Sequence, residues 1–284
     1  VKLCLISDLH FEINDYSLKG KVFSPGDVLI VAGDLTCARF FHPQRTDKDA
    51  LKHRKWLTKF VDEISSKFKH CLYVLGNHEH YGSVFSETVD TLRTALRDTN
   101  VAILDNDTIT IDAVRFFGAT MWTSFNGGSP HEMLIVEQFM NDYNYIFRKR
   151  PDELTYVERN SALRSVRNAT ITPDSILVAH DNSVKALTFF LQESQKDKKN
   201  VVITHHAPSL RAQNVARYGT QMIHAYCTNL EYLMHEYDID LWVYGHTHDS
   251  MDFTVNRTRV LSNQMGYVGH DPRARDFRPV YVDV

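Results

Sequence analysis

Five apolar runs in this 284-residue chain each end in side chains that bind metals. Residues 2–7 lead into Asp8 and His10, 28–33 into Asp34, 71–76 into Asn77-His78-Glu79, 201–204 into His205-His206, and 241–245 into His246 and His248. Continuous apolar runs bounded by turn signals suit strands buried on both faces, and ligands of open sheets gather beyond the carboxyl ends of such strands. The pattern therefore predicts one site holding several metal ligands, assembled where strands end.

The chain is long enough to bury a full core with 43% hydrophobic residues, and a single α/β domain spanning 1–284 is expected. A formal net charge of −3 gives no global electrostatic reason for nucleic acid or an anionic membrane as partner. No uninterrupted apolar segment approaches the roughly 18 residues of a membrane span. The run 3–6 is too short for a signal-peptide core, so a cytoplasmic protein is expected. Cys4, Cys37, Cys71 and Cys227 are scattered without a CxxC pair, which argues against a disulfide framework and a thiolate zinc site.

Helical spacing of Leu57, Phe60, Val61, Ile64 and Phe68 predicts one amphipathic helix over 47–70. A second is expected over 86–98 with Ser86 as cap, followed by strands at 101–104, 108–111 and 114–121. The segment 126–175 is expected to be an insertion flanking the site, with helices near 131–140 and 152–169. After it come a short link at 175–179, a helix over 183–195 with Asp181 and Asn182 at its start, a helix near 227–236, and strands at 251–255, 258–262 and 280–284.

The residue types carry the chemistry. Asp8-x-His10 places a hard oxygen donor and an imidazole two positions apart at a strand end, where both can turn toward one ion. Asp34 follows Gly33, whose missing side chain permits close approach, and its two carboxylate oxygens can bridge two cations. The pair Asn77-His78 sets an amide oxygen ligand directly before a histidine, an order that packing rarely demands. His246-x-His248 can place one imidazole on each of two adjacent ions.

Taken in order, Asp8/His10, Gly33-Asp34, Gly76-Asn77-His78-Glu79, His205 and Gly245-His246-Thr247-His248 resemble the signature of the calcineurin-like metallophosphoesterase superfamily. The segments 119–123, 204–208 and 258–263 further resemble a bacterial and phage branch of unassigned substrate. The resemblance implies a four-layer αββα sandwich, two mixed β-sheets flanked by helices, with two divalent metal ions (Mn, Fe, Ni or Zn) at the sheet ends. It implies that Asp8, His10 and His248 hold one ion, that Asn77, His205 and His246 hold the other, and that Asp34 bridges them. His205 aligns with the first histidine of the family's His-His-Pro-Pro form, and His206 is the reserve ligand. His78 is implied as the catalytic residue near the leaving group, a proton donor or stabiliser of charge, with Glu79 behind the ligands.

Two divalent ions, two carboxylates and a bridging hydroxide sum to a charge of about +1. Such a centre attracts an anionic phosphoester without a basic surface, and its hydroxide would attack phosphorus in line. The expected function is a metal-dependent phosphohydrolase, a phosphodiesterase acting on a small, nucleotide-like phosphoester. A DNA or RNA nuclease of the same fold and a non-catalytic scaffold are the alternatives. His80 and His224 are candidates to line the pocket, Arg211 and Arg217 to contact substrate, and Arg148-Lys149-Arg150 to recruit phosphate.

Overall fold

The computed structural model describes residues 1–16, 23–150, 169–193, 195, 197–212 and 222–284. Its first sheet contains β1 (Lys2–Ile6), β2 (Gly26–Ala32), β3 (Phe68–Val74), β4 (Val101–Leu104) and β11 (Val280–Asp283), in the order β11-β1-β2-β3-β4. The second contains β5 (Asp107–Ile111), β6 (Val114–Ala119), β7 (Lys199–Thr204), β8 (Leu241–Tyr244), β9 (Asp252–Val255) and β10 (Thr258–Ser262), in the order β5-β6-β7-β8-β10-β9. Both sheets are mixed. β1 through β4 run parallel with β11 antiparallel at the edge, and β6, β7, β8 and β10 run parallel between antiparallel β5 and β9.

Three apolar layers separate four structural ones. Leu5, Ile30 and Val74 of the first sheet pack against Phe116, Ile203 and Val243 of the second. On its other face the first sheet meets α1 (Phe11–Asn14), α2 (Lys48–Ser65) and α3 (Thr88–Leu96), through Phe11, Leu57, Phe60, Ile64 and Leu92. Helices later in the chain cover the outer face of the second sheet, where Leu187, Leu191, Leu233 and Met234 meet Phe117, Val202 and Trp242. Each fully buried Leu, Ile or Phe contributes roughly 1.5–3 kcal/mol, which explains why the central strands read as unbroken apolar runs. The sheets pack tightly at Gly118, where an added Cβ would lie 2.8 Å from Leu104 Cδ1 and from Val74 Cγ1.

Several expected boundaries move. The helix expected over 47–70 stops at Ser65, and Phe68 and His70 belong to β3, paired with Gly26 and Val28. Phe68 continued the helical spacing by coincidence; the bare Gly26 leaves room for its ring, since a Cβ there would come within 2.9 Å of it. The strand expected over 114–121 ends at Ala119, because Met121 and Trp122 turn into the left-handed region (φ 69° and 53°).

Residues 175–179 are not a link. They lie inside a helix running Pro173–Gln192, whose true start is a reciprocal capping box between Thr172 and Ser175 with Pro173 in the first turn. Asp181 and Asn182 are exposed mid-helix residues, and side chains of that type signal a helix start only when the backbone before them is extended. Of the segment 126–175, α4 (Pro130–Phe139) matches the first expected helix, with Ser129 capping Glu132 N. The helix expected at 152–169 falls almost wholly outside the described residues.

Candidate metal centre

Five strands deliver the candidate ligands to one end of the sandwich: β1, β2 and β3 from the first sheet, β7 and β8 from the second. Immediately beyond these ends the backbone is unusual. Asp8, His10, Asp34, His246 and His248 all adopt positive φ, between 47° and 72°. Non-glycine residues seldom occupy this region, and when they cluster they do so at sites that the surrounding structure over-determines. Here the loops interlock: Asp8 N donates to Gly33 O at 3.0 Å, His10 N to Asp34 O at 2.9 Å, and His246 N to Asp8 Oδ1 at 2.9 Å.

Glu79 locks two of these loops together. Its buried carboxylate accepts from Asp34 N at 3.0 Å, Leu35 N at 2.6 Å, Thr36 N at 3.2 Å, Gly76 N at 2.6 Å and the Tyr73 hydroxyl at 2.5 Å. Five converging donors hold this carboxyl group and fix the Asp34 loop against the Asn77 loop, while burial and the neighbouring Asp34 charge push its pKa up to about 7. Glycine is required beside it, since a Cβ on Gly76 would lie 2.7 Å from His205 Nε2.

All seven expected ligands converge. On one side lie Asp8, His10 and His248, with His10 Nε2 3.0 Å from His248 Nε2 and His248 Nε2 3.6 Å from Asp8 Oδ1. On the other lie Asn77, His205 and His246, with His205 Nε2 3.2 Å from Asn77 Oδ1. Asp34 Oδ2 stands between, 3.5 Å from His10 Nε2 and 3.4 Å from His205 Nε2. His206 is turned away: its ring faces Trp122, and its Nδ1 lies 3.2 Å from Thr120 O. His205 is therefore the histidine of this pair that faces Asp34.

The donor set fits a pair of cations. Glu12 takes the Nδ1 hydrogen of His10 at 2.9 Å, Asp271 that of His248 at 2.8 Å, and the Ala32 carbonyl that of His205 at 2.8 Å. With Nδ1 so engaged, each ring turns its Nε2 inward, toward another ring nitrogen or a carboxylate. Such a convergence of acceptors needs a positive charge between them. Asp8 Oδ2 and His246 Nε2 are likewise buried without a hydrogen-bond partner.

The electrostatics agree. Although burial works against its charged form, Asp34 pushes the His205 imidazole up to about 10, and Asp34 is itself held well below the usual carboxylate range by His205, His78 and His10. A proton on His205 is thus what this pocket recruits when no other cation neutralises it. His246, by contrast, is buried beside other histidines and stays neutral, its pKa driven well down by burial and by His206 and His205.

His78 sits beside the candidate ligands. Its backbone N donates to Asp34 Oδ1 at 2.9 Å, its Nδ1 lies 2.9 Å from Glu12 Oε1, and its Nε2 is 3.3 Å from the Tyr267 hydroxyl. Against burial, Asp34 and Glu12 raise it to about 9. An imidazolium with Nδ1 occupied by Glu12 presents Nε2–H to the cavity of about 270 Å³ that it lines with Asp34, Asn77, His246 and His248.

Three carboxylates that sequence reasoning did not single out hold these groups. Glu12, two residues beyond His10, extends the first motif to Asp-x-His-x-Glu, so its spacing was a usable signal. Asp142 accepts from Asn77 Nδ2 at 2.8 Å and from the Tyr81 hydroxyl at 2.6 Å, which turns the Asn77 oxygen toward His205. Asp271 also accepts from Tyr267 N at 2.6 Å. The other polar candidates are elsewhere. His80 packs among Phe85 and Trp122, and His224 lines a separate cavity with His180 and Tyr232. Arg211 pairs with Glu231, Arg150 pairs with Glu87, and Arg217 lies outside the described residues.

Comparison with known proteins agrees with this architecture. An uncharacterized protein, L509 of Acanthamoeba polyphaga mimivirus, is 25% identical over 243 residues, covering 81% of this chain and 79% of that one. The crystal structure of the phosphopantetheinyl hydrolase PptH from Mycobacterium tuberculosis superposes with a TM-score of 0.64 at 17% identity, covering 98% of this chain and 95% of that one, a likeness of fold. A family model described as calcineurin-like phosphoesterase matches residues 1–250, and with two mixed sheets whose strand ends gather the candidate Asp, Asn and His ligands, the chain belongs to the calcineurin-like phosphoesterases.

Proposed function

We propose that the chain is a binuclear metal-dependent phosphodiesterase acting on a small, nucleotide-like phosphoester, within the phosphohydrolase activity of its family. The observation that carries this reading is Asp34 Oδ2 standing 3.5 Å from His10 Nε2 and 3.4 Å from His205 Nε2, between two sets of inward-facing donors. Asp8, His10 and His248 would hold one ion, Asn77, His205 and His246 the other, and Asp34 both. When bound, two divalent ions supply Lewis-acid stabilisation of phosphoryl charge and a water acidic enough to attack phosphorus near neutral pH.

The rest of the chemistry falls to the chain. His78 would donate its Nε2 proton to the departing ester oxygen, because Glu12 holds its Nδ1 and neighbouring carboxylates keep it charged. Tyr267, whose hydroxyl is 3.3 Å from that nitrogen, steers the ring. Glu12, Asp142 and Asp271 fix His10, His78, Asn77 and His248 so that little reorganisation accompanies the reaction.

A panel of aryl phosphate monoesters, aryl phosphate diesters, cyclic nucleotides and single-stranded DNA, assayed after reconstitution with each candidate metal, tests the reading. Diesters should turn over fastest, with Asp34→Asn inactive. Failure of wild type on every substrate with every metal would favour a non-catalytic scaffold, and salt-sensitive cleavage of DNA alone a nuclease.

A further inference from the structure

The cavity above the candidate centre has an aromatic wall that phosphoryl transfer itself does not require. Tyr81 stacks on His78 (ring centroids 4.2 Å apart, 27° between planes), Tyr226 lies over His246 (4.9 Å, 36°), and Tyr267 meets His248 edge-on at 4.5 Å. Phe139 and Met140 complete the wall.

Phe139 is the telling member. It is the last residue of α4 and is 63% exposed, although Val136 and Met140 on either side are buried in the cluster beneath. Packing gives a phenylalanine no reason to stand in water at that position, yet Phe139 is among the residues lining the same cavity as His78, His246 and His248. Among the described residues lining this cavity there is no Lys or Arg. Negative charge on a ligand is therefore met at the centre, while the ligand's substituents meet ring faces.

We propose that Phe139 and Tyr226 bind a planar aromatic ester arm, a nucleobase in chemical class, on a singly charged phosphodiester. The proposal rests on the phosphodiesterase reading and narrows its substrate. Stacked rings favour a flat π-surface over an aliphatic one of equal size, and stacking tolerates any base. The arm concerned is the one that stays on phosphorus: Tyr226 covers His246, whereas His78, the candidate proton donor to the leaving oxygen, stands at the other side beside His10 (ring centroids 4.5 Å) and Tyr267.

Methyl p-nitrophenyl phosphate and thymidine 5′-p-nitrophenyl phosphate share leaving group and charge and differ only in the retained arm. With manganese-loaded protein the thymidine ester should show kcat/KM about tenfold higher, mainly through KM, the effect of one base stacking on one ring. Phe139→Ala should bring the ratio of the two esters near one, and Phe139→Tyr should restore it. A ratio near one in wild type, or one untouched by Phe139→Ala, overturns the proposal. If neither ester is hydrolysed, the phosphodiesterase reading fails instead. Calorimetric binding of thymidine 5′-methylphosphonate, expected in wild type and lost in Phe139→Ala, then decides the aromatic site separately, and equal binding by both proteins overturns it.

Discussion

Glu12 Oε1 lies 2.9 Å from His78 Nδ1 and at the same time 2.9 Å from His10 Nδ1, so one buried oxygen sets the orientation of a candidate metal ligand and of the candidate proton donor. The two imidazoles hold the carboxyl at about 2 despite its burial, so it is a carboxylate at any pH at which the protein works. Glu12→Gln keeps the shape and leaves one oxygen able to accept from both rings, but removes the negative charge that holds them. Turnover should fall about 10- to 100-fold with the circular dichroism spectrum unchanged. Full activity in this variant would show that the two histidines are oriented by something else.

Asp142→Ala removes the acceptor shared by Asn77 Nδ2 and the Tyr81 hydroxyl. With the amide free to rotate, affinity for one of two ions should weaken about 10- to 100-fold while the other is retained, a split that metal titration calorimetry resolves. Two unchanged affinities would show that Asp142 does not set the ligand.

How far these carboxylates could be read in advance depends on their distance along the chain. The five strand ends were legible because buried parallel strands are apolar throughout and their ligands follow within a few residues, as Asp8, Asp34 and Asn77 do. Glu12 was within reach for the same reason. Asp142 meets Asn77 across 65 positions and Asp271 meets His248 across 23, and no local pattern reports a pairing that only the tertiary fold creates. The start of the helix at Pro173, rather than the helix expected over 183–195, was missed because the Thr172–Ser175 capping box uses Ser in place of the usual Glu or Gln. The aromatic wall was equally hidden, since Phe139 looks in sequence like one more core residue.

Gly118 tests the packing between the sheets independently of the site. An added Cβ would press on Leu104 and Val74 across the interface, so Gly118→Ala should cost about 1–3 kcal/mol, read as a lowered urea midpoint with an unchanged slope. An unchanged midpoint would mean that the sheets can separate freely at this point.

His53 links the fold to pH. It is only 3% exposed, stacks on Phe40 at 3.7 Å, and leaves Nδ1 without a partner. Burial, then the charge of Lys52, lower its pKa from 6.5 to about 4. The unfolded chain therefore binds a proton that the folded chain refuses between these values, and stability rises with pH across that window. The contribution is complete above pH 6.5 and is lost progressively toward pH 4, about 3 kcal/mol at most. His53→Phe should flatten the slope of stability against pH in this range, measured by urea unfolding at several pH values. An identical slope in both proteins would contradict the assignment.

The proposed chemistry requires Asp34 to lie between two cation sites. Equilibrium dialysis against manganese, with wild type and Asp34→Asn assayed side by side on methyl p-nitrophenyl phosphate, tests this most directly. Two ions per wild-type chain are expected, with activity appearing as the second binds and with both the second ion and the activity lost in Asp34→Asn. One ion per active wild-type chain, or an Asp34→Asn variant that keeps two ions and full activity, would contradict it.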